Sequence, residues 1–235
     1  MRVLIRLFAI AFSAAIFGQH LAAQPRAERP RLPVVDILYP PVGTIFDRTC
    51  STFMAKGEVT PDLIKAAGEA KPRLQAEWTR HGTQYLAAAM AEIGAPFPYS
   101  EVQVTLTVCA VPTMSTPLII NVQKYLPGAV KPEPEEDFSE ALFHELMHHY
   151  VSALTTNSAL KKKYASEPLL VLNHLHVIAL ERMVLLKFGE TKELKLVEQT
   201  YLTSPSPGYK RAWELASEIG TDALIQELKD AAKKR

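Results

Sequence analysis

Residues 137–154 read DFSEALFHELMHHYVSAL, and inside them His144-Glu145-Leu146-Met147-His148 has the form HExxH. The apolar residues of this stretch recur at helical spacing through the Phe143 region to about Leu154. Asp137 is placed to cap the helix, with Glu140 completing a capping box. Residues four apart on a helix stand one above the other, so the imidazoles of His144 and His148 can approach a single tetrahedral zinc from one side. Glu145 then projects beside the metal, where its carboxylate can act as general base on a water whose pKa the cation lowers toward about 7. Apart from Glu145, no charge and no proline interrupts the two histidines.

A catalytic zinc needs a third protein ligand and keeps its fourth position for water. Five of the seven histidines fall between His144 and His176, which directs the search to the helix beginning near Pro168. On that helix Leu170, His174, Val177, Ile178, Glu181, Leu185 and Phe188 follow steps of three and four, so His174 and Glu181 share an otherwise apolar stripe. A buried stripe should not hold two such groups unpaired. The reading places His174 on zinc and Glu181 behind the ligands as their polar support. His176, the third option, points round the helix toward the side of Lys187. For a donor to the developing oxyanion the candidates are Tyr209, His176 and Tyr150. Tyr209 sits in Pro207-Gly208-Tyr209-Lys210-Arg211-Ala212-Trp213, where a loop turns into a helix.

The motif and the strand-then-helix order before it resemble the zincin superfamily of metallopeptidases. The resemblance implies a zincin-like fold, a bound Zn²⁺, hydrolysis of peptide bonds, and a peptide or protein as substrate. The metzincin continuation is absent, since His148 is followed by His149-Tyr150-Val151-Ser152-Ala153-Leu154. A gluzincin-like site would instead use Glu181 as ligand, with His174 hydrogen-bonding near the substrate. Against that, the position four after Glu181 is Leu185 rather than the aspartate of several such families. The rival function is a noncatalytic exported zinc-binding or scaffolding protein, which would have no need of Glu145. A di-iron bundle wants two ExxH pairs, and this chain has one.

Upstream, Thr60 to Ile93 carries helical spacing, with Thr60-Pro61-Asp62 as start, Gly94 as stop and Pro72 as the expected break. The period then changes. Val102, Val104, Leu106 and Val108 alternate with polar residues as in a half-buried strand, and Leu118 to Val122 reads as a second. A loop occupies Pro127 to Pro134. Downstream, helices are expected over Pro168 to Phe188, Lys192 to Leu202, Pro207 to Ser217 and Thr221 to Ala232. The fold class is α+β and mainly helical: a small N-terminal sheet, the HExxH helix, and a helical C-terminal half. One strand edge is available in principle to hold an extended peptide by strand addition.

At the N-terminus, Arg2 and Arg6 flank the start of an apolar run, Leu7 to Phe17, that ends in Ala22 and Ala23. This has the form of a secretory signal peptide over residues 1–23, too short in its apolar part for a comfortable span. Residues 24–33 read as a linker, and 34–235 as one domain. A secreted or periplasmic protein follows, with no stable membrane insertion once the signal is cleaved. In an oxidising compartment Cys50 and Cys109 can form a bridge. Hydrophobic residues at 48% and charged residues at 22% suit a globular chain, and a net charge of +1 offers no field for nucleic acid. Lys161 to Lys163 read as solvated surface.

Overall fold

A computed structural model describes residues 31–53, 59–129 and 131–235. The expected signal peptide and most of the expected linker lie outside the described residues. Three parallel strands form the sheet in the order β1-β2-β3: β1 Val34–Leu38, β2 Glu101–Thr107 and β3 Ile119–Asn121. β1 pairs with β2 from Val34↔Glu101 to Leu38↔Thr105, and β2 pairs with β3 from Thr105↔Ile119 to Thr107↔Asn121. Sequence reading found β2 and β3 and missed β1. Only Val35 and Ile37 are buried in that short strand, and prolines flank it, which masks its alternation.

Both edges of the sheet are taken. Along β1, Gln75 donates Nε2 to the Val35 carbonyl at 3.2 Å and accepts the Ile37 N–H at 2.9 Å. Along β3, Ile119 exchanges two backbone bonds with Met114, and the Asn121 N–H goes to Thr113 Oγ1. An extended peptide would have to displace these groups, so strand addition is set aside.

Between β1 and β2 run α1 Ile45–Phe53, α2 Pro61–Glu77 and α3 Thr83–Ile93, the last two joined by one π-helical stretch, Trp78–Gly82. The chain does not break at Pro72. That residue lies on the exposed side of α2, where the carbonyl left without its N–H partner can bond water, while Ala67, Ala70 and Leu74 hold the opposite face in the core. The irregularity begins six residues later, at Trp78, whose ring covers Gly82.

Beyond β3 the chain is helical: α4 Glu136–Leu154, α5 Ala159–Lys163, α6 Leu169–Phe188, α7 Thr191–Thr203, α8 Pro207–Ile219 and α9 Thr221–Ala232. Asp137 does not cap α4. The helix starts one residue earlier, because the Pro134 and Glu135 carbonyls already accept the Asp137 and Phe138 N–H groups. Asp137 lies in the first turn, where its charge suits the helix dipole. α6 is the central helix, packed by α3, α4, α7, α8 and α9. It is long and apolar enough to cross a membrane, yet its middle is buried on several faces rather than along one stripe. Lys161 is half-buried rather than solvated, its ammonium donating to Thr155 Oγ1 at 2.9 Å.

A disulfide joins Cys50 of α1 to Cys109 just after β2. Beside it Asp47 is 1% exposed, and its Oδ1 accepts from Thr107 Oγ1, the Val108 N–H and the Cys109 N–H. These contacts fix the end of β2 against α1.

Candidate metal centre

α4 and α6 pack together, and the contact brings three imidazoles into one group. One ring nitrogen from each of His144, His148 and His174 lies within 4.8 Å of the other two. His144 Nε2 and His148 Nε2 are 3.1 Å apart. Ligands at 2.0–2.1 Å from a tetrahedral zinc stand about 3.3 Å apart, so this pair already has the required separation.

The remaining ring nitrogens decide which atoms face the cluster. His144 Nδ1 donates to Glu181 Oε1 at 2.6 Å, and His174 Nδ1 donates to the Leu170 carbonyl one turn back on α6 at 2.7 Å. These bonds commit the Nδ1 protons and leave each Nε2 to the cluster, the arrangement by which outer groups orient ligating histidines. Glu181 therefore touches the nitrogen of His144 that faces away from the cluster, and it is not one of the grouped donors. The ligand role offered to Glu181 by the gluzincin-like alternative does not match this geometry.

His176 is also removed from the candidates. It is fully buried, and its Nε2 donates to Glu227 of α9 at 2.7 Å. The spacing turns it away from His174 toward the side of Lys187, and α9 meets it through Glu227. Tyr150 is likewise engaged elsewhere: its hydroxyl donates to the Ala95 carbonyl at 2.9 Å, and its ring stacks on Phe97.

Two tyrosines do reach the centre. The Tyr209 ring lies 4.9 Å from that of His174, centroid to centroid, and Tyr201 lies 6.0 Å from His174 and 6.3 Å from His144. Tyr201 escaped sequence reading. It occupies an amphipathic stretch of α7 with nothing to mark it, and only the packing of α7 on α6 brings it to the histidines. His144, Glu145, Glu181 and both tyrosines line one cleft of about 540 Å³.

The electrostatics divide the three histidines. Burial opposes a charge on His144, but the attraction and hydrogen bond of Glu181, helped by Glu145 and Glu140, outweigh it and raise its pKa to about 10. Burial, followed by the charge on His144, lowers His148 to about 2 and His174 to about 4. Two imidazoles are thus held neutral with lone pairs available, the state a metal requires of its ligands. Glu145 is 7% exposed, and burial raises its carboxyl above the usual range. Burial and the neighbouring Glu181 push Glu140 to about 8. Protonated, Glu140 can donate to Glu181, whose Oε2 otherwise has no partner among the described residues.

No protein-family model, curated protein or solved structure matches the chain.

Proposed function

We propose that the chain is an exported zinc metallopeptidase. What carries the reading is the group of three imidazole nitrogens within 4.8 Å, one of whose histidines, His144, shares an open cleft with Glu145. The donor set suits zinc: three imidazole nitrogens, those of His148 and His174 on rings that burial holds neutral, and two of the three rings, His144 and His174, oriented by hydrogen bonds through their far ring atoms. His144, His148 and His174 would hold the ion. When bound, zinc supplies a Lewis acid that polarises a carbonyl and acidifies water near neutral pH.

The chain's own residues do the rest. Glu145 takes the proton of the attacking water and delivers it to the leaving amine, a role its raised pKa suits. Glu181 and the Leu170 carbonyl keep the imidazoles in their ligating tautomers. Tyr209, which lines the same cleft as Glu145, would donate a hydrogen bond to the oxyanion. A site built only to hold metal gains nothing from a buried carboxylate at Glu145, which favours hydrolysis over the scaffolding alternative. Export rests on the N-terminal apolar run and agrees with the Cys50–Cys109 bridge.

Elemental analysis of the purified mature chain should find about one zinc per molecule. Glu145→Gln should keep the metal and lose peptide hydrolysis by about 10²- to 10⁴-fold. A chain unable to take up zinc, or undiminished turnover in Glu145→Gln, would overturn the proposal.

A further inference from the structure

The cleft beside the histidines has a wall that hydrolysis itself does not use. Asp137 on α4 and Glu193 on α7 both line it, half-buried, and neither makes a salt bridge among the described residues. The one lysine in the lining, Lys124, is already paired with Glu133 at 2.5 Å. Glu181 is occupied by His144, and Glu140 by Glu181. Asp137 and Glu193 thus lack a direct ion-pair partner among the described residues, in a lining where carboxylates outnumber the single lysine. Burial, then the neighbouring Glu133 and Glu193, raise the carboxyl of Asp137, outweighing the opposing pull of Lys124 and Lys192.

Two more observations point to an organic cation as occupant. Leu196 is 44% exposed, and with Val197 it gives the same cleft an aliphatic strip. Tyr201, 4% exposed, is among the residues lining the cleft, and its buried hydroxyl has no hydrogen-bond partner among the described residues. A buried hydroxyl left unmatched costs stability unless a ligand completes it. The carboxylates do not converge as metal ligands do, since the three-histidine cluster is the only such group among the described residues.

We propose that this cleft binds a lysine or arginine side chain of a peptide substrate. The methylene stem lies along Leu196 and Val197, the cationic head reaches Asp137 and Glu193, and the Tyr201 hydroxyl meets a backbone carbonyl of the peptide. The proposal rests on the peptidase reading, because it assigns the residue that reading leaves open.

The test uses the full mature Glu145→Gln protein, which should bind without turnover. Fluorescein-labelled Ala-Ala-Lys-Ala-Ala-amide is titrated by anisotropy against the same peptide carrying norleucine or glutamate in place of lysine. At low salt the lysine peptide should bind about 5- to 10-fold more tightly than the norleucine peptide, with the glutamate peptide weakest. Adding Asp137→Asn and Glu193→Gln should bring the lysine-to-norleucine ratio toward one. If the combined variant fails to show a cooperative melt, Glu193→Gln alone should still lower the ratio at least twofold. Equal binding of lysine and norleucine peptides, no binding of any peptide, or a ratio that survives the substitutions overturns the subsite. Wild-type cleavage of the same peptides separates the two readings. Cleavage at similar rates regardless of charge defeats the subsite and leaves the hydrolase. Lysine-selective binding without cleavage of any peptide keeps the subsite and defeats the hydrolase.

Discussion

Across 2.6 Å, His144 Nδ1 donates to Glu181 Oε1, tying α4 to α6 through residues 37 apart in the chain. The bond points the other nitrogen of His144 at His148, 3.1 Å away. It also puts a nearly buried carboxylate, 1% exposed, behind a candidate ligand. A carboxylate in that position fixes the imidazole tautomer and raises its basicity.

Replacing Glu181 with Ala should therefore weaken zinc binding by about 10- to 100-fold. His174→Ala, which removes a donor outright, should weaken it further. Competition against a chromophoric chelator measures both. Equal losses in the two variants would return Glu181 to the ligand role, and unchanged affinity in Glu181→Ala would remove it from the centre.

Removing the Cys50–Cys109 bridge with paired alanines should destabilise the fold by about 2–4 kcal/mol, chiefly because the unfolded chain regains the freedom of a long loop. The two cysteines are 59 residues apart, so that loop is substantial. Urea denaturation of wild type and double variant reads the difference. An unchanged midpoint would mean that the Asp47 hydrogen bonds to Thr107, Val108 and Cys109 hold this corner without it.

The elements that were legible in advance are those whose signal is local. HExxH spacing and the glycines after α3, α6 and α8 mark helix faces and ends, so those helices fall within a few residues of their expected bounds. His174 could be set apart from His176 because the apolar steps of three and four continue through it. The errors come from contacts distant in sequence. Glu227 decides the fate of His176 from 51 residues away, and the packing of α7 on α6 brings in Tyr201. Gln75 closes a strand edge that a strand pattern alone presents as open. At Pro72 the local rule was applied correctly but lost to position, since an exposed helix face tolerates the missing hydrogen bond.

At Gly82 two rules predict opposite signs. Alanine is favoured over glycine within a helix by roughly 0.5–1 kcal/mol. A Cβ at Gly82, however, would stand 2.0 Å from Cε3 of Trp78, a ring only 2% exposed. Overpacking on that scale typically costs about 1–3 kcal/mol, because the indole has to leave its place in the core. Gly82→Ala should be destabilising, with a shifted tryptophan emission. A stabilised variant would show that the π-helical stretch relaxes to admit the methyl.

The carboxylate of Glu227 receives three hydrogen bonds: from His176 Nε2 at 2.7 Å, Ser158 Oγ at 2.8 Å and the Leu160 N–H at 3.0 Å. It thereby ties α9 to α6 and to the start of α5. Burial favours its neutral form, but the bonds from His176, Leu160 and Ser158 prevail and hold the pKa down from 4.5 to about 2. The folded value lies below the unfolded one, so over that interval the unfolded chain binds more protons and stability is lost as the pH is lowered. The contribution is fully present above about 4.5, shrinks as pH drops, and is gone once pH passes below about 2. Glu227→Gln keeps the size of the side chain without its charge, so the stability gap between wild type and variant should be widest near neutral pH and narrow steadily through that window. Denaturation midpoints at a series of pH values provide the comparison. A gap that stays constant down to about pH 2 would mean that the charge on Glu227 adds nothing to its hydrogen bonds.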